Sequence, residues 1–159
     1  MSDLVAYIDG GARGNPGPAA IGVIVRDEAG SVLYSAGQAI GRGTNNEAEY
    51  RALIHLLEVA AVAPELRASK ADALRIHCDS QLIVMQVLGK WKIKEPRLQE
   101  LNERVHALKK KVPFQLRLKH VPREEQRDAD KLVNAALDQA GAASAANAGP
   151  SGETDGESF

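Results

Sequence analysis

The hydrophobic pattern of this chain first changes period near residue 44, and that change restricts the possible folds more than any other feature. Upstream of it, branched and aromatic residues alternate over Leu4 to Asp9. Further apolar runs cover Ala20 to Arg26 and Ser31 to Ile40, joined by the turn Asp27-Glu28-Ala29-Gly30. Period-two alternation broken by turn residues predicts an antiparallel three-stranded meander. The string GGARGNPGPAA, from Gly10 to Ala20, reads as the loop after the first strand. Downstream, Leu53, Ile54, Leu56, Leu57 and Ala60 keep helical spacing until Pro64. Thr44 and Glu47 form a Thr-x-x-Glu capping box that starts this helix.

The remainder alternates element types. A polar connector from Glu65 to Asp72 leads to a strand over Ala73 to Cys78, and Asp79-Ser80 opens a helix from Gln81 to Leu88 that Gly89 stops. Pro96 suits the first turn of a helix reaching about Lys111. Phe114, Leu116 and Leu118 then mark a one-sided strand, and a last helix covers roughly Glu125 to Ala140. The order βββ-α-β-αα-β-α predicts a mixed α/β sheet with helices on its faces. At 159 residues the chain is long enough for one domain, expected over residues 1–140. Residues 141–159, rich in Ala, Gly, Ser and acids, are expected to be a disordered tail.

Composition narrows the partners. No apolar run approaches the roughly 20 residues that cross a bilayer, and the N-terminus lacks a secretory pattern, so no membrane role and a cytoplasmic location are expected. The single Cys78 is expected to be a buried structural thiol. The net charge of −1 conceals an uneven distribution. Glu153, Asp155 and Glu157 lie in the tail, leaving the body at +2, and basic residues outnumber acidic ones between Lys90 and Lys131. Such a segment suits a polyanion as well as a solvated face.

Four acids fall at element ends: Asp9 ends the first strand, Asp79 closes the fourth, Glu49 lies one turn into the first helix and Asp130 lies near the start of the last. These are places where distant segments converge in α/β folds. A carboxylate at the end of an apolar strand needs a compensating cation, and oxygen ligands suit Mg²⁺ or Mn²⁺ rather than zinc. Four carboxylates balance two divalent ions, which about 4 Å apart would serve in-line phosphodiester hydrolysis.

The strings YIDGGARGNPGPAAIG, TNNEAEYRAL, HCDSQLIVMQVLGKWKIK and HVPREEQRDADKLVNAAL, in that order, resemble the ribonuclease H type 1 family from about Asp3 to Leu137. The resemblance implies a ribonuclease H-like fold and a metal-dependent endonuclease that cuts the RNA strand of an RNA–DNA hybrid, with two Mg²⁺ ions that Mn²⁺ can replace. Its catalytic and metal-binding acids map onto Asp9, Glu49, Asp79 and Asp130. Glu47 and Asp128 compete with two of these, but residues two apart on a helix diverge by about 200°. Glu47 is engaged in the capping box, and Asp128 is free to pair with Lys131. His120 matches a histidine that assists proton transfer or product departure. His55, His77 and His106 have no such context and are read as structural. Gln126 stands where the family often has asparagine, which bears on local geometry and removes no ligand.

For substrate, the resemblance and the local chemistry together point to Gly10, Gly11, Arg13, Gly14 and Asn15 for the 2′-hydroxyl edge of the RNA strand. Asn45, Asn46 and Gln81 are implied for the minor groove, and Arg42 with Thr44 for a DNA phosphate. Lys90, Trp91 and Lys92, next to Lys94, interleave cations with an aromatic, a pattern that serves nucleic-acid binding or a solvated edge. The span from Asp79 to Phe114 is too short for the extra basic helix of some members, so a compact, monomeric form with no obligate protein partner is expected. Rival readings are a reverse-transcriptase-associated or broader nuclease, and a binding module without catalysis.

Overall fold

A computed structural model describes residues 3–141. The strands are β1 (Asp3–Ala12), β2 (Gly17–Arg26), β3 (Val32–Gly43), β4 (Ala73–Cys78) and β5 (Gln115–His120). The helices are α1 (Asn45–Val62), the single turn α2 (Pro64–Arg67), α3 (Gln81–Val87) and α4 (Pro96–Lys109), followed by a 3₁₀ turn (Arg123–Gln126) and α5 (127–141). The sheet runs β3-β2-β1-β4-β5. The first three strands pair antiparallel, while β4 and β5 are parallel to β1 and to each other.

Strand β2 explains the two layers of helices. Ile21, Val23 and Val25 join the main core with Leu53, Leu56 and Leu57 of α1, whereas Ala20 joins Val133, Ala136 and Leu137 of α5. Alternate residues of a strand point to opposite faces, so α1 and α5 cover opposite sides of the meander. Two glycines let α5 approach. A methyl group on Gly22 would collide with the Ala129 carbonyl, and one on Gly37 with that of Leu132. Gly22 and Gly37 are register partners on β2 and β3, so the backbone of α5 rests on a paired gap in the sheet.

Helix starts follow their local chemistry. Thr44 accepts a bond from Glu47 N (3.1 Å) and the Glu47 carboxylate accepts one from Thr44 N (2.9 Å), which completes the expected box. Ser80 caps α3, Pro96 begins α4, and Gly89 takes a positive φ where α3 ends. Cys78 is fully buried, and burial pushes its thiol up.

Four local expectations need correction. The loop expected from Gly10 to Ala20 shrinks to residues 13–16, because the β1–β2 ladder extends through Ala12↔Ala19 and places Gly10 and Gly11 in a strand. The 65–72 connector contains α2, whose first turn Pro64 fits. The last helix opens two residues later than expected, after the 3₁₀ turn, so Asp130 lies in its first turn. Asp128 pairs with Arg26 at 3.0 Å rather than with Lys131, a contact made across 102 residues that helical spacing cannot reveal. The expected tail falls, beyond Gly141, outside the described residues. Among the described residues, no helix is long and apolar enough to cross a membrane.

Candidate active site

The parallel pairing of β1 with β4 sets the centre of the site. Ile8 is opposite Cys78, so the next residues, Asp9 and Asp79, lie side by side where the pairing of β1 with β4 ends, while β1 continues along β2 to Ala12. Beneath them Gln126, fully buried, donates from Nε2 to Ile8 O (3.0 Å) and His77 O (2.9 Å). The longer amide therefore clamps both strands, one residue before Asp9 and two before Asp79, and among the described residues its Oε1 has no partner.

Helix α1 brings the third acid. A methyl group on Gly10 would overlap the Ala48 carbonyl, so the glycine lets α1 lie against β1. The Gly10 N–H then donates to Glu49 Oε1 at 2.6 Å. Asp9, Glu49 and Asp79 each offer an oxygen, all within 4.8 Å of one another. Glu47, by contrast, keeps its capping bond and an ion pair to Arg97 (3.2 Å). Asp9 is 3% exposed and Glu49 6%. Burial first, then the facing charge of Asp79, push Asp9 up from 3.8 to about 7, with Arg123 and the Gly10 N–H pulling the other way. Burial and the neighbouring Asp9 push Glu49 well above its ordinary range.

These three carboxylates fit a hard divalent cation. Their donors are all oxygens, they resist ionising together, and Asp79 Oδ2 is buried without a hydrogen-bond partner among the described residues. The Arg123 guanidinium stands 3.5 Å from that oxygen, close enough for attraction only, and is itself largely exposed.

Asp130 does not join the trio. It lies on the wall of the same cavity, about 510 Å³, where Arg123 Nη2 (3.4 Å) and Asn134 Nδ2 (3.3 Å) hold its two oxygens. Of the substrate residues expected from sequence, Gly10, Gly11, Arg13, Asn45 and Asn46 line this cavity. Asn15 accepts a bond from Asn45 N (3.0 Å), and Asn45 Oδ1 accepts one from Ala12 N (2.9 Å), tying the β1–β2 hairpin to the start of α1. Thr44 is occupied as a cap, while Gly14, Arg42 and Gln81 lie outside the cavity lining. His120 ends β5 in an exposed position opposite Cys78, also outside the lining. Lys90, Trp91 and Lys92 are exposed, and Ile93 rather than Trp91 packs on the core.

Of the three histidines read as structural, His55 and His77 make contacts within the fold. Tyr34 OH and His55 Nε2 lie 2.7 Å apart, and His77 packs edge-on against Tyr7. His106 lies exposed on α4. Sequence reasoning missed Arg123, Ser80 and Asn134 as cavity residues. Asn134 had one readable signal, its position one helical turn beyond Asp130.

A mixed five-stranded sheet with acids placed side by side just past the parallel pairing of two adjacent strands defines a class of α/β proteins suited to metal-assisted phosphoryl chemistry. A family model described as reverse transcriptase-like matches residues 7–136. Ribonuclease HI of Halobacterium salinarum is 42% identical over 136 residues, covering 85% of this chain and 64% of that protein. The bifunctional protein Rv2228c of Mycobacterium tuberculosis is 43% identical over 148 residues, 92% of this chain. The chain spans only 39% of the length of that mycobacterial relative. LC11-RNase H1, isolated from compost by a metagenomic approach, superposes with a TM-score of 0.79 at 44% identity, covering 88% of this chain and 99% of the other. The same relative has been solved in complex with an RNA/DNA hybrid. This chain belongs to the type 1 ribonuclease H family.

Proposed function

We propose that this chain is an endoribonuclease that hydrolyses the RNA strand of RNA–DNA hybrids. The observation that carries the reading is the buried trio Asp9, Glu49 and Asp79 at the floor of a cavity whose rim includes the β1–β2 hairpin and the start of α1. The complex of LC11-RNase H1 with a hybrid supports the choice of substrate. Two magnesium ions, for which manganese can stand in, would be held by Asp9, Glu49, Asp79 and Asp130 and would supply the positive charge that activates a water and offsets charge on the leaving oxygen.

The chain's own groups supply position. The Gly10 N–H fixes one oxygen of Glu49, and Gln126 fixes the strand ends that carry Asp9 and Asp79. The hairpin backbone at Gly10 and Gly11 is open to the cavity and suits a ribose edge, where the 2′-hydroxyl distinguishes RNA from DNA. Arg13, Asn45 and Asn46 line that cavity, and beyond its lining Asn15 and Gln81 would extend the groove contacts, with Arg42 and Thr44 for a DNA phosphate. Exposed Lys90, Trp91 and Lys92 extend the contact to the backbone. His120, exposed beside the strand end that leads to Asp79, moves a proton or helps product leave. Residues 1–140 act as a single monomeric unit in the cytoplasm.

Four end-labelled substrates of one sequence test this: RNA–DNA hybrid, duplex RNA, duplex DNA and single-stranded RNA, each with Mg²⁺ or EDTA. Cutting confined to the RNA of the hybrid and abolished by EDTA is expected. Cutting of other duplexes would move the reading to a broader nuclease, and binding without cutting in either metal would make the chain a binding module.

A further inference from the structure

Helix α5 carries Asp130, Asn134 and Asp138 at i, i+4 and i+8, one polar stripe on a helix whose other face is buried on the sheet. The stripe runs from the carboxylates to the hairpin tip. Arg13 pairs with Asp138 at 2.7 Å and reaches Asn134 Oδ1 at 3.4 Å. Asn134 then donates from Nδ2 to Asp130 Oδ2 (3.3 Å) and to Asp130 O (3.2 Å). Both ends of one amide are thus used, its oxygen by the hairpin and its nitrogen by the carboxylate set apart from the other three.

The two oxygens of Asp130 have different holders. Arg123 faces Oδ1, and Asn134 faces Oδ2. A cation arriving at Oδ1 competes with the Arg123 guanidinium, which is 72% exposed and free to swing away. Asn134 is neutral and does not compete. It keeps Oδ2 engaged and leaves Oδ1 to Arg123 or an arriving cation. We propose that Asn134 is a positioning residue, which orients Asp130 for metal binding and links that carboxylate to the substrate-facing hairpin through Arg13. The proposal rests on the reading of Asp130 as a metal-binding carboxylate.

Substitutions of Asn134 in the full chain test it by calorimetric titration with Mn²⁺ and by steady-state cleavage of a hybrid. Groups that orient metal ligands typically change affinity or activity by about 10- to 100-fold when removed. Asn134→Ala should weaken Mn²⁺ binding and lower kcat by about tenfold, the low end of that range, with hybrid KM within about twofold and unchanged thermal unfolding. Asn134→Gln, which keeps the donor, should recover part of both losses. Wild-type Mn²⁺ affinity and kcat in Asn134→Ala would overturn this proposal alone. A wild-type chain that neither binds Mn²⁺ nor cuts a hybrid would overturn both this proposal and the functional reading beneath it.

Discussion

Asp9 carries the electrostatic cost of the site. Its carboxyl is pushed up to about 7 in the folded chain from 3.8, mainly by burial. The native state therefore holds this proton over a range in which the unfolded chain has released it. The favourable contribution is complete below about pH 4 and is lost as pH rises through about 7. Metal-free wild type compared with Asp9→Asn by denaturant unfolding should show this difference: the stability of wild type relative to the variant falls across that interval. Adding Mg²⁺ should flatten the difference, because a cation bound only to the folded state offsets the repulsion. A wild type that gains stability relative to the variant over the same range would contradict this assignment of cost. Asp79→Asn is a near-isosteric change at the buried oxygen that has no hydrogen-bond partner among the described residues. It should leave far-UV circular dichroism intact while metal-dependent cleavage is lost. Full activity in that variant would remove Asp79 from the site.

At the level of elements, glycines decide where the helices that carry acids can lie. Gly10 admits α1, and Gly22 with Gly37 admits α5. Gly10→Ala drives a methyl group into the Ala48 carbonyl, so α1 must move away and its Glu49 bond to Gly10 N is disrupted. Overpacking of this kind costs about 1–3 kcal/mol, and activity should fall further than stability alone explains. Gly22→Ala should act through α5 and Asp130 instead, with a similar loss of stability and a smaller effect on Glu49. Equal unfolding midpoints for wild type and both variants would refute the close approach. The starts of α1, α3 and α4 were legible beforehand, because a capping box, a serine cap and a proline at N1 are local instructions. The glycines inside β2 and β3 were not, because their meaning depends on a helix that joins the fold about a hundred residues later.

Across the whole molecule, electrostatics separates positioning from grip. The acids gather at one end of the sheet, whereas Lys90 and Lys92 stand exposed after α3, outside the cavity lining. In the proposed complex, charge contacts of this second kind would set affinity through counterion release. Replacing Lys90 and Lys92 together with Gln should weaken hybrid binding and reduce the slope of log affinity against log salt by up to about 1.8, with kcat nearly unchanged. Filter binding at several salt concentrations measures it, and an unaltered slope would exclude these lysines from the interface.

How much of the molecule could be read from its residues follows from the range over which each signal acts. Periodicity, caps and turn residues act within one or two turns of chain, so strand and helix order emerged from them, as did the choice of Glu49 over Glu47. The acids stood out because each was read at an element end, although β1 in fact runs three residues past Asp9. Their mutual geometry was not readable. It depends on the parallel β1–β4 register that sets Asp9 beside Asp79, on the Gln126 clamp made across 118 residues, and on the seat of α5 that leaves Asp130 apart from the trio. Arg123 and Asn134 became part of the site for the same reason. Contacts between segments this far apart are set by how the layers pack, and no spacing within a single segment records them.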